Sequence, residues 1–273
     1  MTTGARRHPA ERTPAAAARP TRGSRTVALP GLPNVRDSAG LPRPDGARLR
    51  SGVLYRGPAP SPLTAPALDD LGIRTVVDLR TAFEQGIEDG PAGMRARLLR
   101  RPVGGNMSRI RGVRRPPPSA YLFNYRSMLT LAAPVAVEII GLLAEPDQDP
   151  VYVCCTVGKD RTGVVSALTL RGLGVRLAAV AGDYSLTGRA YRALGPQDPR
   201  PQWSYEGSLE ELQIRTASPA WTMRSLITGI EDEHESVARY LERQHGLSPK
   251  TRLRAVRRVF EHHAPRRERH DAD

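Results

Sequence analysis

Cys155 and Arg161 are the two residues of this 273-residue chain whose types and spacing point most directly to chemistry. They lie in the stretch Cys155-Thr156-Val157-Gly158-Lys159-Asp160-Arg161-Thr162-Gly163, between an apolar run, Val151 to Val153, and a second one, Val164 to Leu173. The β-branched first run predicts a strand, the second a helix, and the glycine-containing segment between them a tight loop. Such a loop turns successive backbone N–H groups inward, and the helix behind it adds the positive end of its dipole. An anion of phosphate size fits that environment. The same field favours the thiolate form of Cys155, while Arg161 offers a planar fork of donors that matches two phosphate oxygens. A thiolate beneath a bound phosphate is an in-line nucleophile, so the stretch predicts a phosphatase site that passes through a phospho-cysteine.

A cysteine at a strand end is by itself only a small hydrophobe, and Cys-x5-Arg recurs by chance. The agreement of strand, glycine and Thr162-Gly163 helix start is what points to function. Sulfur transfer is a rival chemistry, because rhodanese-like domains also place a cysteine in an anion-cradling loop; Lys159-Asp160-Arg161-Thr162-Gly163 argues against it. A phosphate-binding module without turnover is a further alternative. The six histidines, at positions 8, 234, 245, 262, 263 and 270, leave residues 9 to 233 without one. A Cys–His pair would need a base from the terminal helices, so the nucleophile is expected to be activated by loop amides, helix dipole and Arg161. Two adjacent cysteines and peripheral histidines also lack zinc-ligand spacing, and neither a metal nor another cofactor is expected.

The loop resembles the signature of bacterial protein-tyrosine phosphatases of the tyrosine phosphatase B type, which typically reads His-Cys-x-x-Gly-Lys-Asp-Arg-Thr-Gly. Weaker matches extend from about residue 30 to 260: Asn34-Val35-Arg36-Asp37, Leu54-Tyr55-Arg56-Gly57, Asp78-Leu79-Arg80, Asp183-Tyr184 and Ser236 to Leu241. The resemblance implies a protein-tyrosine-phosphatase-like α/β fold and four roles. Cys155 attacks phosphorus; Arg161 and the amides of residues 156 to 161, with Thr156, Val157, Gly158, Lys159 and Thr162, hold the phosphate. Asp160 protonates the leaving oxygen, with Asp78 the runner-up acid or the residue that orients Arg161. Arg36 and Arg56 help to frame the pocket, and Lys159 adds charge suited to a second phosphate, as in phosphoinositides. Phosphotyrosine in proteins is the first substrate expected, ahead of phosphoserine or phosphothreonine and phosphoinositides. One departure stands out: Cys154 occupies the position of the family's histidine, and a Cys154–Cys155 bond under oxidation is conceivable although strained.

The elements that must position these residues follow from pattern. Thr75 to Arg80 is a buried parallel strand by its β-branched run, closed by Asp78 and Arg80, with Glu84 on a helical start. In open α/β sheets chemistry collects at such strand ends, so the fold class is α/β, a central mostly parallel sheet flanked by helices with a helical C-terminal portion. Arg48 to Tyr55 reads as a short strand pair, Leu63 to Leu71 as a helix stopped by Gly72, and Leu98 to Val103 as a strand. Residues 119 to 144 read as helical, with a second piece starting at Pro134 and with Tyr121, Tyr125, Met128 and Leu129 as core. Pro116-Pro117-Pro118 interrupts the region where related enzymes carry a helical lid, which predicts an open pocket. Prolines make residues 193 to 219 irregular; Trp203 and Trp221 are assigned to the core. A helix through Glu231 to Gln244 and another from Ser248-Pro249 to Phe260 close the domain.

The phosphatase domain is expected over residues 26–262, between a disordered basic tail, residues 1–25, with six arginines against one glutamate, and a charged tail, residues 263–273. The formal net charge of +13 rests almost wholly on arginine, since Lys159 and Lys250 are the two lysines. Such a balance suits nucleic acid, anionic lipid or phosphorylated substrates. Arginine-for-lysine bias is equally a matter of composition, and a phosphorylated protein or phospholipid is expected as partner, with no nucleic acid. No apolar stretch is read as a membrane span and no signal peptide as present. The expected compartment is the reducing cytoplasm, with export lacking an obvious signal implied for relatives by the resemblance.

Overall fold

The computed structural model describes residues 25–62, 64–86, 94–198 and 208–262; the expected tails, Trp203 and the first residue of the helix assigned from Leu63 lie outside these, Arg25 excepted. In chain order the strands are β1 (Arg36–Asp37), β2 (Arg48–Leu49), β3 (Leu54–Pro58), β4 (Thr75–Asp78), β5 (Arg97–Arg100), β6 (Val151–Cys155) and β7 (Phe260–Glu261). The helices are α1 (Ala65–Asp70), α2 (Ala82–Gly86), α3 (Pro118–Ala144), α4 (Asp160–Gly172), α5 (Leu177–Arg192), α6 (Leu209–Arg215), α7 (Ala220–His234), α8 (Val237–His245) and α9 (Pro249–Val259).

The central sheet has the order β1-β3-β6-β4-β5. β3, β6, β4 and β5 are parallel and β1 is antiparallel to β3, so the fold is the expected α/β class with a mostly parallel sheet. All five residues of β6 are buried, as a strand covered on both faces requires. Successive side chains point to opposite faces. Val151, Val153 and Cys155 enter the larger core with Ile139 of α3 and Leu168 of α4. Tyr152 and Cys154 enter the smaller core with Val27, Val35 and Leu68. Each buried valine contributes about 1.5–3 kcal/mol.

Several sequence expectations change here. Arg48 to Tyr55 does not form a strand pair: β2 pairs with β7, while β3 joins the central sheet. No break occurs at Pro134, and α3 runs through 27 residues. Pro134 and Thr130, whose carbonyl loses its helical donor, both lie exposed, where solvent tolerates the lost bond. By length and composition α3 is long and apolar enough to cross a membrane, contrary to expectation, yet half of that window is buried within the protein. It packs against α4, α7, α8 and α9.

The helix expected through Glu231 to Gln244 is two helices. Glu235 has φ +69° between them, and the Ser236 hydroxyl accepts from the Arg239 amide to start α8. Residues 193–219 are not wholly irregular, since α6 begins with a reciprocal capping box between Ser208 and Glu211. Trp221 is 45% exposed and does not belong to the core.

Candidate active site

β6 ends at Cys155 and α4 begins at Asp160, so residues 156–159 must turn the chain within one loop. The outer surface of that loop is gripped by donors. Asn34 Nδ2 reaches the carbonyls of Val157 (3.2 Å) and Gly158 (3.3 Å). Arg56 Nη2 donates to Gly158 O at 3.0 Å, and the Tyr191 hydroxyl donates to Val157 O at 2.9 Å. With the carbonyls held outward, the amides are left to the inner side. Among the described residues none accepts a hydrogen bond from the amides of Thr156 to Arg161. Gly158 is obligatory: its φ is +68°, and a Cβ there would stand 2.4 Å from the carbonyl carbon of Gly57.

Arg36 and Arg56 therefore do not frame the pocket as expected; each is 2% exposed at its side chain and stands behind the loop. Both converge on Asp183, through Arg36 Nε (3.1 Å) and Arg56 Nη1 (3.0 Å), and Arg25 joins them at 2.8 Å. Burial works to raise the Asp183 carboxyl, but the three guanidiniums overcome it and hold the group well below the usual carboxylate range. Burial and Arg36 push Arg56 down to about 10.

On the inner side, Arg161 is held by a residue whose role sequence reading missed. Glu84 accepts from Arg161 Nη1 and Nη2, both at 2.6 Å, in a bidentate fork. The Thr156 hydroxyl completes the triangle, donating to Glu84 at 2.7 Å and accepting from Arg161 at 2.8 Å. Glu84 is itself fixed at the start of α2, where its carboxylate accepts from the Thr81 amide and hydroxyl, both at 2.8 Å. The pattern Thr81-x-x-Glu84 is a capping-box signature and was the available signal. Burial tends to raise Glu84, and Arg161 with Thr156 brings it down to about 2. Burial tends to lower Arg161, and the charges of Cys155 and Glu84 together hold it above its ordinary value.

Asp78 is not the carboxylate that orients Arg161. Its two oxygens are taken by Arg80, with Nη2 at 2.8 Å and Nε at 3.1 Å, and its side chain is 2% exposed. Asp160 is the carboxylate at the loop: Oδ1 accepts from the Tyr125 hydroxyl at 2.6 Å, and the side chain keeps 29% exposure. Lys159 turns inward and is completely buried, contrary to the expectation that it adds charge for a second phosphate. Its ammonium donates to Arg215 O at 2.6 Å, lies 3.4 Å from Asp160 and sits 3.8 Å above the Tyr121 ring. Burial lowers its pKa against the pull of Asp160. Thr162 is also fully buried, so its side chain cannot reach a substrate.

Cys154 and Cys155 are both free, and their alternation on β6 sends the sulfurs to opposite faces of the sheet. Cys154 donates to Val77 O at 3.7 Å, and burial pushes its thiol up strongly. A bond between neighbours would require one of them to leave its core. Among the described residues no group of three His, Cys, Asp or Glu side chains is arranged to hold a metal ion.

A strand end, a loop with inward amides and a clamped arginine on the next helix make an anion cradle. A Cupriavidus necator protein assigned as a tyrosine-protein phosphatase is 29% identical over 180 residues, a match covering 62% of this chain and 66% of that protein's length. Among solved structures, P. aeruginosa TpbA aligns with TM-score 0.31 at 16% identity, over 66% of this chain and 96% of its own. The core catalytic domain of the PP-IP phosphatase SIW14 from S. cerevisiae aligns with TM-score 0.33 at 13% identity, over 74% and 94%. The profile of the tyrosine phosphatase family matches residues 27–260, which takes in the central sheet, the loop and every side chain just described except Arg25. The chain belongs to the tyrosine phosphatase family.

Proposed function

We propose that the protein is a cysteine-dependent phosphatase of the tyrosine phosphatase B type, hydrolysing phosphotyrosine in proteins through a phospho-cysteine intermediate. The observation that carries this reading is the bidentate hold of Glu84 on Arg161, on the loop that starts at Cys155. A guanidinium fixed in that way by both Nη atoms has its orientation set in advance, with Nε left to donate, so little ordering is needed when a phosphate arrives. Cys155 Sγ attacks phosphorus, the loop amides and Arg161 stabilise the equatorial oxygens, and Asp160 delivers the proton to the departing phenol oxygen. Water then releases phosphate from the cysteine with Asp160 as base.

The inward turn of Lys159 bears on the substrate. Without that ammonium at the mouth, the cradle offers the loop amides and Arg161, a set sized for one phosphate. This favours a monophosphate ester over a phosphoinositide that carries a second phosphate.

The test is phosphate release from a phosphotyrosine peptide, a phosphothreonine peptide and a phosphoinositide, with reductant and without metal. Wild type is expected to release phosphate fastest from the phosphotyrosine peptide, and Cys155→Ser to release none. Metal-dependent release that survives in the serine variant would refute the mechanism. Binding of phosphate analogues without turnover would make the chain a binding module, and thiosulfate-to-cyanide transfer would make it a sulfurtransferase.

A further inference from the structure

Tyr125 belongs to the apolar face of α3 and reads from sequence as core. Its ring is indeed buried, but its hydroxyl is not a bystander. It donates to Asp160 Oδ1 at 2.6 Å and lies 2.6 Å from the Tyr184 hydroxyl, with the two rings edge to face at 6.1 Å. A phenol has one proton. Since that of Tyr125 goes to Asp160, Tyr184 must donate to Tyr125, and the chain has one direction: Tyr184 to Tyr125 to Asp160. Lys159 sets its ammonium 3.4 Å from the same carboxylate oxygen, as an ion pair. Lys159 is in turn fixed by the Arg215 carbonyl and the Tyr121 ring.

We propose that Tyr125 is the positioning residue for the general acid, engaging Oδ1 of Asp160 together with Lys159 so that Oδ2 carries the catalytic proton. An oxygen that already accepts a short hydrogen bond and faces an ammonium is the poorer site for a proton, so protonation falls to the other. The Asp160 side chain keeps 29% exposure, and Oδ1 is the oxygen that Tyr125 and Lys159 engage, which leaves Oδ2 to the substrate. In the first step the S–P bond forms, the phosphorus–phenol oxygen bond breaks, and the proton on Oδ2 passes to the leaving oxygen. In the second, a water oxygen bonds to phosphorus, its proton returns to Oδ2, and the S–P bond breaks to regenerate the thiolate and free phosphate.

This rests on Asp160 being the acid, and leaving-group dependence separates the two ideas. A phenol such as tyrosine needs a proton as it leaves, whereas a nitrophenol, a much weaker base, does not. The comparison is kcat/KM on a phosphotyrosine peptide and on p-nitrophenyl phosphate for wild type, Asp160→Asn and Tyr125→Phe. Asp160→Asn is expected to lose about 10²–10³-fold on the peptide and about threefold on the nitrophenyl ester. Tyr125→Phe is expected to follow the same pattern at about tenfold on the peptide and less than threefold on the ester. If removing one hydroxyl leaves the Tyr184 hydroxyl buried without a partner and the variant fails to fold, the double variant Tyr125→Phe/Tyr184→Phe removes both polar groups and serves in its place. Equal losses on both substrates, or none, in the tyrosine variant would overturn the proposal while an intact Asp160→Asn pattern keeps the acid. An Asp160→Asn variant that treats both substrates alike would overturn the assignment of the acid itself, and the positioning role with it.

Discussion

Two sets of arginines meet the loop from opposite sides. On the outer side, Arg36 and Arg56 are buried and share one carboxylate, Asp183, with Arg25. On the inner side, Arg161 keeps 15% exposure and has a bidentate carboxylate partner in Glu84. The chemistry of the side chains is the same, and the difference lies in where the donors are spent. Outside, they go to Asp183, to the Asn34 carbonyl and to the loop carbonyl of Gly158, so the charge builds a rigid wall. Inside, Nη1 and Nη2 are spent on Glu84, Thr156 and the Leu79 carbonyl, and Nε is the donor left towards an anion among the described residues. Damage to the outer set should therefore register as stability, and damage to the inner set as activity.

The largest expected effect breaks the outer set. Asp183→Asn leaves three guanidiniums facing one another without a counter-charge, and breaking a buried ionic cluster in this way costs about 3–5 kcal/mol. Urea unfolding should show this loss, and a variant of wild-type stability would mean that the outer cluster is not structural. Next comes Gly158→Ala, in which a Cβ meets the Gly57 backbone while φ stays positive. About 1–3 kcal/mol of stability and more than ~100-fold of kcat/KM should be lost together, because this residue belongs to both sides of the loop. Glu84→Gln, on the inner side, is expected to cut kcat/KM by about 10–100-fold while changing unfolding free energy by about 1 kcal/mol. If its stability loss rivalled that of Asp183→Asn, the division between wall and aim would fail.

How much of this was legible in the sequence depended on distance along the chain. The strand, loop and helix around Cys155 are contiguous, so their periodicities and the glycine were sufficient to place Cys155, Asp160 and Arg161 on one turn. The parallel sheet was readable because β4 and β6 are β-branched and buried on both faces. What was not legible needed partners far away. Glu84 lies 77 residues from Arg161, and its capping pattern showed a helix start without showing the arginine above it. Lys159 turns inward because the Arg215 carbonyl, 56 residues on, and the Tyr121 ring receive it. Arg36 and Arg56 look like pocket residues in sequence because their partner Asp183 lies 147 and 127 residues away. At the C-terminus apolar spacing carried across Ser236, where a side-chain cap starts a new helix, and periodicity alone does not register a cap.

The smallest effect concerns pH and sharpens the comparison between the two carboxylates. Glu84 has its folded-state pKa depressed to about 2 from an ordinary 4.5. A depressed carboxylate contributes stability that is fully present above the unfolded value and lost as pH falls through the folded one. For Glu84 that window runs from about 4.5 down to about 2. The stability difference between wild type and Glu84→Gln should accordingly be about 1 kcal/mol smaller at pH 3 than at pH 6, a figure reduced for partial solvent screening. Asp183 is buried and held lower still by three guanidiniums, so its contribution should outlast that of Glu84 as acid is added. Urea unfolding of wild type and both variants at stepped pH gives the two difference curves directly. If the Asp183 difference faded first, the ranking of the two sides by burial would be reversed: the inner ion pair would then be the better protected one, and the loop would owe its rigidity to the arginine that also binds the anion.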